Sequence, residues 1–289
     1  MVFSIWLLWL GNPIVTVLGN VQDAGYPQIG CQKACCQKAW TSGERGLVTC
    51  LSLQRDERLW LFDATPDIRQ QTNALVQGKQ LAGVFLTHAH IGHYTGLMFL
   101  GRESMNAKSV PVFAQSRLTD FLRKEAPWRQ LVELKNIDPR LMTSGQPVLL
   151  ANDLNVEAIP VPHRDEFSET SAFVIRGPKR ALLYLPDIDK WERWSVSIES
   201  LLEQVDYALL DGTFYAAGEI PGRNMAEIPH PFIAESLQRF NSLTPETKAK
   251  IYFTHFNHTN PCLDPKSEAS QKVEAAGFHL ARTGQTFEL

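Results

Sequence analysis

Short apolar runs rich in Val, Ile, Leu and Phe recur along the chain, separated by polar turns. They fall at 14–19 (IVTVLG), 46–53 (GLVTCLSL), 58–64 (RLWLFDA), 82–88 (AGVFLTH), 110–114 (VPVFA), 154–161 (LNVEAIPV), 171–177 (SAFVIRG), 181–187 (ALLYLPD), 207–212 (YALLDG) and 250–255 (KIYFTH). Their length and composition predict β-strands. Helical patterns intervene at 66–77, 96–105, 116–124, 197–204, 231–240 and 267–276. Pro66 and Pro231 fit the first turn of a helix, and Thr65 and Ser116 fit the N-cap position.

Both halves of the chain open with strands and then mix strands with helices. That order predicts an α/β fold, an αββα sandwich of two packed mixed sheets flanked by helices. A doubly wound sheet requires stricter strand–helix alternation than 14–64 or 154–187 provides. The expectation is a single domain over 1–289, with 1–13 as an apolar N-terminal extension. Ile5 to Leu10 is too short to span a bilayer, and the segment lacks the basic residues and small cleavage-site residues of a signal peptide. A cytoplasmic protein with no stable membrane span is expected. Export or membrane association is the alternative if the segment is a shortened signal. A net charge of −3 leaves no basic footprint for nucleic acid.

The polar residues that close the strands change the picture. His88, His90 and His93 crowd the exit of one run in LTHAHIGHYTGL. His163, Asp187, Asp211, His255 and Asp63 stand at the exits of others. One strand-end histidine means little, because sites and structural hydrogen bonds both use such positions. Together these residues form a ligand set for first-row transition metals. In the H-x-H spacing, alternate residues leaving a strand point the same way.

Five cysteines add a second candidate. Cys31, Cys35 and Cys36 lie within six residues, apart from Cys50 and Cys262. An odd, clustered set fits metal ligation better than a disulfide framework.

HAHIGH at 88–93 resembles the H-x-H-x-D-H motif of the metallo-β-lactamase-fold hydrolases, and His163, Asp187 and His255 match the later motif positions in order. The resemblance runs from about Ile14 to the C-terminus. Within that superfamily, VLGNVQDAGYPQIGCQKACC and FTHFNHTNP are similar to the pyrroloquinoline quinone biosynthesis protein B family and the related cyclic phosphodiesterase of phosphonate catabolism. The resemblance implies a sandwich with its metal site between the sheets. It also implies a structural zinc held by Cys31, Cys35, Cys36 and His258, although Lys33 stands where the middle cysteine of the C-x-C-x-x-C pattern belongs.

By the same resemblance, His88, His90 and His163 form a first metal position. His93, Asp187 and His255 form a second, with Asp187 bridging and one or two Zn, Mn or Fe ions bound. Gly92 stands where the motif has aspartate. The leading expectation is a weakened second position with water in the vacancy. A mononuclear site, or an acid reaching in from Asp63 or Asp211, are the others.

Asp187, His230 and Arg164 are the catalytic candidates. The resemblance implies that His230 contacts substrate or protonates a leaving group, and Arg164 can fork onto an anion. Tyr94 and Tyr215 are further candidates for the cleft wall, and His279 and the tryptophans of DIDKWERW read as packing residues. The implied function is a hydrolase using metal-bound hydroxide on a small anionic, ester-like substrate, with a phosphodiester foremost. The alternatives are an iron-dependent oxidation in peptide-derived cofactor maturation and a catalytically weakened metal-binding module. A homodimer is compatible with the sequence.

Overall fold

The computed structural model describes residues 11–289, so most of the N-terminal apolar segment lies outside the described residues. The strands are β1 (Ile14–Gly19), β2 (Cys50–Arg55), β3 (Arg58–Phe62), β4 (Gln80–Phe85), β5 (Val110–Ala114), β6 (Ile137–Leu141), β7 (Val148–Ala151), β8 (Leu154–Val161), β9 (Thr170–Arg176), β10 (Ala181–Leu185), β11 (Tyr207–Asp211), β12 (Ile251–Thr254), β13 (His279–Leu280) and β14 (Thr286–Glu288). They form two seven-stranded sheets, ordered β14-β1-β2-β3-β4-β5-β6 and β13-β12-β11-β10-β9-β8-β7. This is the expected sandwich of two mixed sheets, not a single doubly wound sheet.

Period-two alternation sorts each strand between two cores. In β3, Trp60 and Phe62 enter the layer between the sheets, whereas Leu59 and Leu61 face the outer helices. In β10, Leu182 and Tyr184 point inward, and Leu183 and Leu185 pack under the helices of the second half. With both faces covered, such strands read as nearly continuous hydrophobic runs. The inner layer is fixed by aromatic contacts. Phe85 stacks on Phe62 and Phe113 at 5.0 and 4.6 Å between centroids, and Phe173 of the opposite sheet meets Phe85 edge-on at 5.8 Å.

The helices depart from the sequence pattern mostly at their ends. The pattern over 66–77 forms only a short helix, Ile68–Thr72, and 96–105 forms a 3₁₀ segment, Thr95–Leu100. Pro66 and Pro231 lie just ahead of their helices, Gln115 holds the N-cap position before Ser116, and Thr65 Oγ accepts from Asp67 N at 3.1 Å as a turn. Helices Ala34–Ser42 and Trp128–Glu133 and the strands β6, β7, β13 and β14 carry too little apolar periodicity to be read in advance. The tryptophans pack as expected: Trp191 Nε1 donates to Ser236 Oγ at 2.9 Å and Trp194 Nε1 to the Pro160 carbonyl at 3.0 Å. His279 stacks on Tyr252 at 4.7 Å. Among the described residues, no helix is long and apolar enough to cross a membrane.

The pairing directions place the site. β3 runs parallel to β4, and β1 shares their direction through two antiparallel steps across β2. β10, β11 and β12 are mutually parallel, and β8 shares their direction across β9. The strands of each group therefore finish at one common end of their sheet, and their exit loops carry the polar residues singled out above.

Candidate metal centre

Each loop at this edge contributes its own group. His88, His90 and His93 follow β4, with His93 in a single helical turn, Ile91–Tyr94. Ala64 N donates to the His93 carbonyl at 2.8 Å and pins that turn to the exit of β3. His163 follows β8, and Asp187 follows β10. The two loops are joined where Asp189 N donates to the Pro162 carbonyl at 2.7 Å. His255 follows β12, and His230 precedes the helix Ile233–Arg239.

The six implied active-site ligands converge. Ligand atoms of His88, His90 and His163 lie within 4.8 Å of one another, and so do those of Asp23, His93, Asp187 and His255. His88 Nε2 is 2.8 Å from His90 Nδ1. Asp187 faces both groups. Its Oδ1 is 3.7 Å from His163 Nε2, and its Oδ2 is 3.1 Å from His93 Nε2 and 3.2 Å from His255 Nε2.

The fourth member of the second group, Asp23, comes from the loop after β1. Its Oδ1 lies 3.2 Å from His93 Nε2 and 3.3 Å from His255 Nε2. The space beside Gly92 is therefore filled by protein, and neither Asp63 nor Asp211 reaches in. Those two aspartates sit behind the histidines. Asp63 Oδ2 is 2.8 Å from His93 Nδ1, and Asp211 Oδ2 is 2.7 Å from His230 Nδ1.

Hydrogen-bond accounting then assigns the tautomers. Thr87 Oγ1 gives its proton to Asp63 (2.9 Å to Oδ1), so it accepts from His88 Nδ1 at 2.9 Å. Thr213 Oγ1 gives its proton to Asp211 (2.7 Å) and accepts from His255 Nδ1 at 2.9 Å. His93 Nδ1 donates to Asp63. The outer nitrogens of these three rings are donors, and the Nε2 atoms turn their lone pairs inward. In the second group, two lone pairs and two carboxylates then face a common point. Only a proton on an imidazole or a cation satisfies that arrangement. Asp187 Oδ2 and His163 Nδ1 are moreover buried with no hydrogen-bond partner.

Burial drives the His88 imidazole well below its ordinary pKa and takes His163 down to about 4, so both are neutral at pH 7, the form that binds metal. Burial raises the Asp187 carboxyl, but positive charge on the facing His255 and His93 rings outweighs it and holds that carboxyl well below the usual range. Burial lowers His93, but Asp63 and Asp23 outweigh it and raise its pKa well above the ordinary value, so without a cation a proton on that ring serves the carboxylates. Imidazoles freed of that proton by a cation, together with ionised carboxylates, suit Zn, Mn or Fe. Two residues of this framework, Asp63 (φ +68°) and His255 (φ +64°), occupy the left-handed backbone region. For side chains other than glycine such strain is concentrated at functional sites.

Of the catalytic candidates, Arg164 and His230 line a cavity of about 720 Å³ whose wall also includes Arg223, Lys33, Phe214 and His258, whereas Asp187 lies behind His230 and outside that wall, its Oδ1 3.7 Å from His230 Nδ1. Tyr94 turns away from it and packs on Phe121 and Trp128, and Tyr215 packs against the outer core of the second sheet.

The thiols of Cys31, Cys35 and Cys36 also gather within 4.8 Å, with Cys35 and Cys36 in the first turn of the helix Ala34–Ser42. Burial pushes the Cys36 thiol up to about 12, so it stays protonated at pH 7 unless a cation displaces the proton. His258 is not in this group. Its Nδ1 lies 3.1 Å from Asn257 Oδ1, and it borders the same cavity as Cys31. Cys50 is remote from the cluster, with Sγ donating to the Asp63 carbonyl at 3.3 Å.

Sequence reasoning missed Asp23 and the two Asp–Thr pairs. The available signal for Asp23 was Gly92 itself, since a missing carboxylate directs attention to acids in the other strand-exit loops.

Fold and site together define a metallo-β-lactamase-like protein, and residues 58–256 match the family described as Beta-lactamase superfamily domain, to which the chain belongs. More particularly, it is similar to coenzyme PQQ synthesis protein B of Methylobacterium nodulans, at 28% identity over 94% of this chain and 99% of the relative. The same protein of Nitrosococcus oceani is 26% identical over 94% and 98%. Among solved structures, Zn²⁺-bound PqqB from Methylobacterium extorquens superposes with a TM-score of 0.79 at 22% identity, covering 96% of this chain and all of that one. A diphosphatase of the PhnP family gives 0.69 at 23% identity, covering 97% and 98%.

Proposed function

We propose that the protein is a metal-dependent hydrolase of small anionic esters, with phosphodiesters the foremost substrate class. The observation that carries this reading is the convergence of ligand atoms of His88, His90 and His163 in one group and of His93, Asp187 and His255, with Asp23, in a second. Zn, Mn or Fe bound there supplies Lewis acidity and ionised water near neutral pH.

The chain's own residues supply the rest. Asp187 offers one oxygen to each group and fixes their separation. Arg164 presents a fork of donors at the cavity rim, and Arg223 and Lys33 add positive charge to the same wall, which favours an anionic substrate. His230 gives its Nδ1 proton to Asp211. Burial lowers the His230 pKa, but Asp211 outweighs burial and raises it, so the ring is suited to hold a second proton for a leaving oxygen. Cys31, Cys35 and Cys36 supply three thiols for a structural zinc, and His258 stands outside their cluster, so it completes the site only by turning toward them.

The test is turnover of a panel of cyclic and linear phosphodiesters and lactones by protein loaded in turn with Zn²⁺, Mn²⁺ and Fe²⁺. Hydrolysis that His163→Ala abolishes supports the reading. Full metal occupancy with no turnover on the panel overturns it.

One observation favours a second reading. The similarity to PQQ synthesis protein B spans nearly the whole of both chains, which is compatible with an oxidative step in cofactor maturation that needs iron. Oxygen uptake on a tyrosine-containing peptide by the iron form, with no hydrolysis, selects that reading.

A further inference from the structure

The residue that departs most from the superfamily motif is Gly92, and its surroundings explain how the site tolerates it. A β-carbon built on Gly92 would lie 2.5 Å from Asp23 Cα and 2.6 Å from its Cβ and Cγ. No side chain of any kind fits there while Asp23 keeps its place, because the colliding atoms include backbone. The two positions are mutually exclusive in space: a carboxylate can come from residue 92 or from residue 23.

Asp23 is held in place by backbone. Gln22 N donates to the Phe256 carbonyl at 2.9 Å, and Phe256 N donates to the Asn20 carbonyl at 2.8 Å. Thr49 N donates to the Val21 carbonyl at 2.7 Å, and Gly25, at φ +70°, turns the chain away immediately afterwards. These bonds stitch the loop after β1 to the segment beside His255, so Asp23 reaches the second metal position without a long flexible side chain.

We infer that Asp23 is the carboxylate ligand of the second metal position, moved from residue 92 of the motif to a loop about seventy residues earlier, and that Gly92 is the vacancy its backbone requires. The site then keeps its full donor set of two imidazoles and two carboxylates, and the Gly92 departure is not a sign of lost catalysis or of a single-metal site. This inference rests on the metal-centre reading of the proposed function.

Reciprocal substitution tests it, read by metal content and binding isotherms of the full chain, with circular dichroism reporting the fold. Asp23→Asn, which preserves shape, and Asp23→Gly are each expected to lose one equivalent of metal or at least tenfold in its affinity. Gly92→Asp alone is expected to bind less metal than wild type, because it collides with Asp23. The double variant Asp23→Gly/Gly92→Asp is expected to recover the second equivalent. Wild-type stoichiometry and affinity in folded Asp23→Asn and Asp23→Gly overturn the inference and leave the metal centre standing. Absence of active-site metal from wild type overturns both. If the double variant does not fold, Asp23→Asn decides.

Discussion

Asp63 Oδ2 lies 2.8 Å from Nδ1 of His93, thirty residues away, and both side chains are wholly buried. Through Thr87, the same carboxylate also fixes His88. One aspartate at the exit of β3 therefore orients a histidine in each metal group. Asp211 does the equivalent for His230 directly and for His255 through Thr213. Each sheet brings its own Asp–Thr support to the shared edge.

Asp63→Asn keeps the shape and removes the charge that fixes the tautomer. Partners behind metal-bound histidines are typically worth about 10–100-fold in metal affinity. A loss in that range is expected by competition with a chelator, with an unchanged circular dichroism spectrum. Wild-type affinity in the variant would contradict this role.

Glu166 supports His90 in a similar way, at 3.1 Å from Nε2, but it is about half exposed. Screened surface pairs contribute roughly 0–1 kcal/mol. Glu166→Gln is therefore expected to weaken metal binding by no more than about fivefold, the upper end of that range. The same chelator competition run beside Asp63→Asn should rank the two, and a larger effect at Glu166 would reverse the argument from burial.

Cys36→Ser should remove the thiol-bound ion and leave the histidine-bound metal in place. Structural zinc sites contribute folding free energy directly. The expected outcome is one fewer zinc per chain and a lower melting temperature. Unchanged zinc content would mean that the three thiols are simply packed and reduced.

Phe85→Ala should cost about 3–5 kcal/mol, as for other large aromatic residues removed from a core. Phe85 joins Phe62 and Phe113 of its own sheet to Phe173 of the other. Urea unfolding measures the loss, and a change under 1 kcal/mol would show that the layer between the sheets closes around the gap.

Much of this was legible in the chain because strands buried on both faces write themselves as apolar runs, and because β4 ends on a dense histidine motif. The edge strands β7, β13 and β14 were not legible, since they are short and their pairing is supplied by neighbours far away in sequence. Helix Ala34–Ser42 was hidden by its mixed polar face and by cysteines that read as ligands before they read as helix. Asp23 escaped because nothing in VQDAGYP marks that aspartate; its role exists only once the loop after β1 is stitched to Phe256. Asp63 and Asp211 were singled out at strand exits, but sequence cannot tell a group that reaches into a site from one that braces it from behind.

The most direct measurement is the transition-metal content of untagged protein prepared without added metal, compared between a Cys31→Ser/Cys35→Ser/Cys36→Ser variant and the same variant carrying His88→Ala and His163→Ala. The account predicts at least one ion per chain in the first and a clear loss in the second. Equal metal content in the two, or none in the first after exposure to Zn²⁺, Mn²⁺ or Fe²⁺, would contradict the claim that these histidines surround a cation.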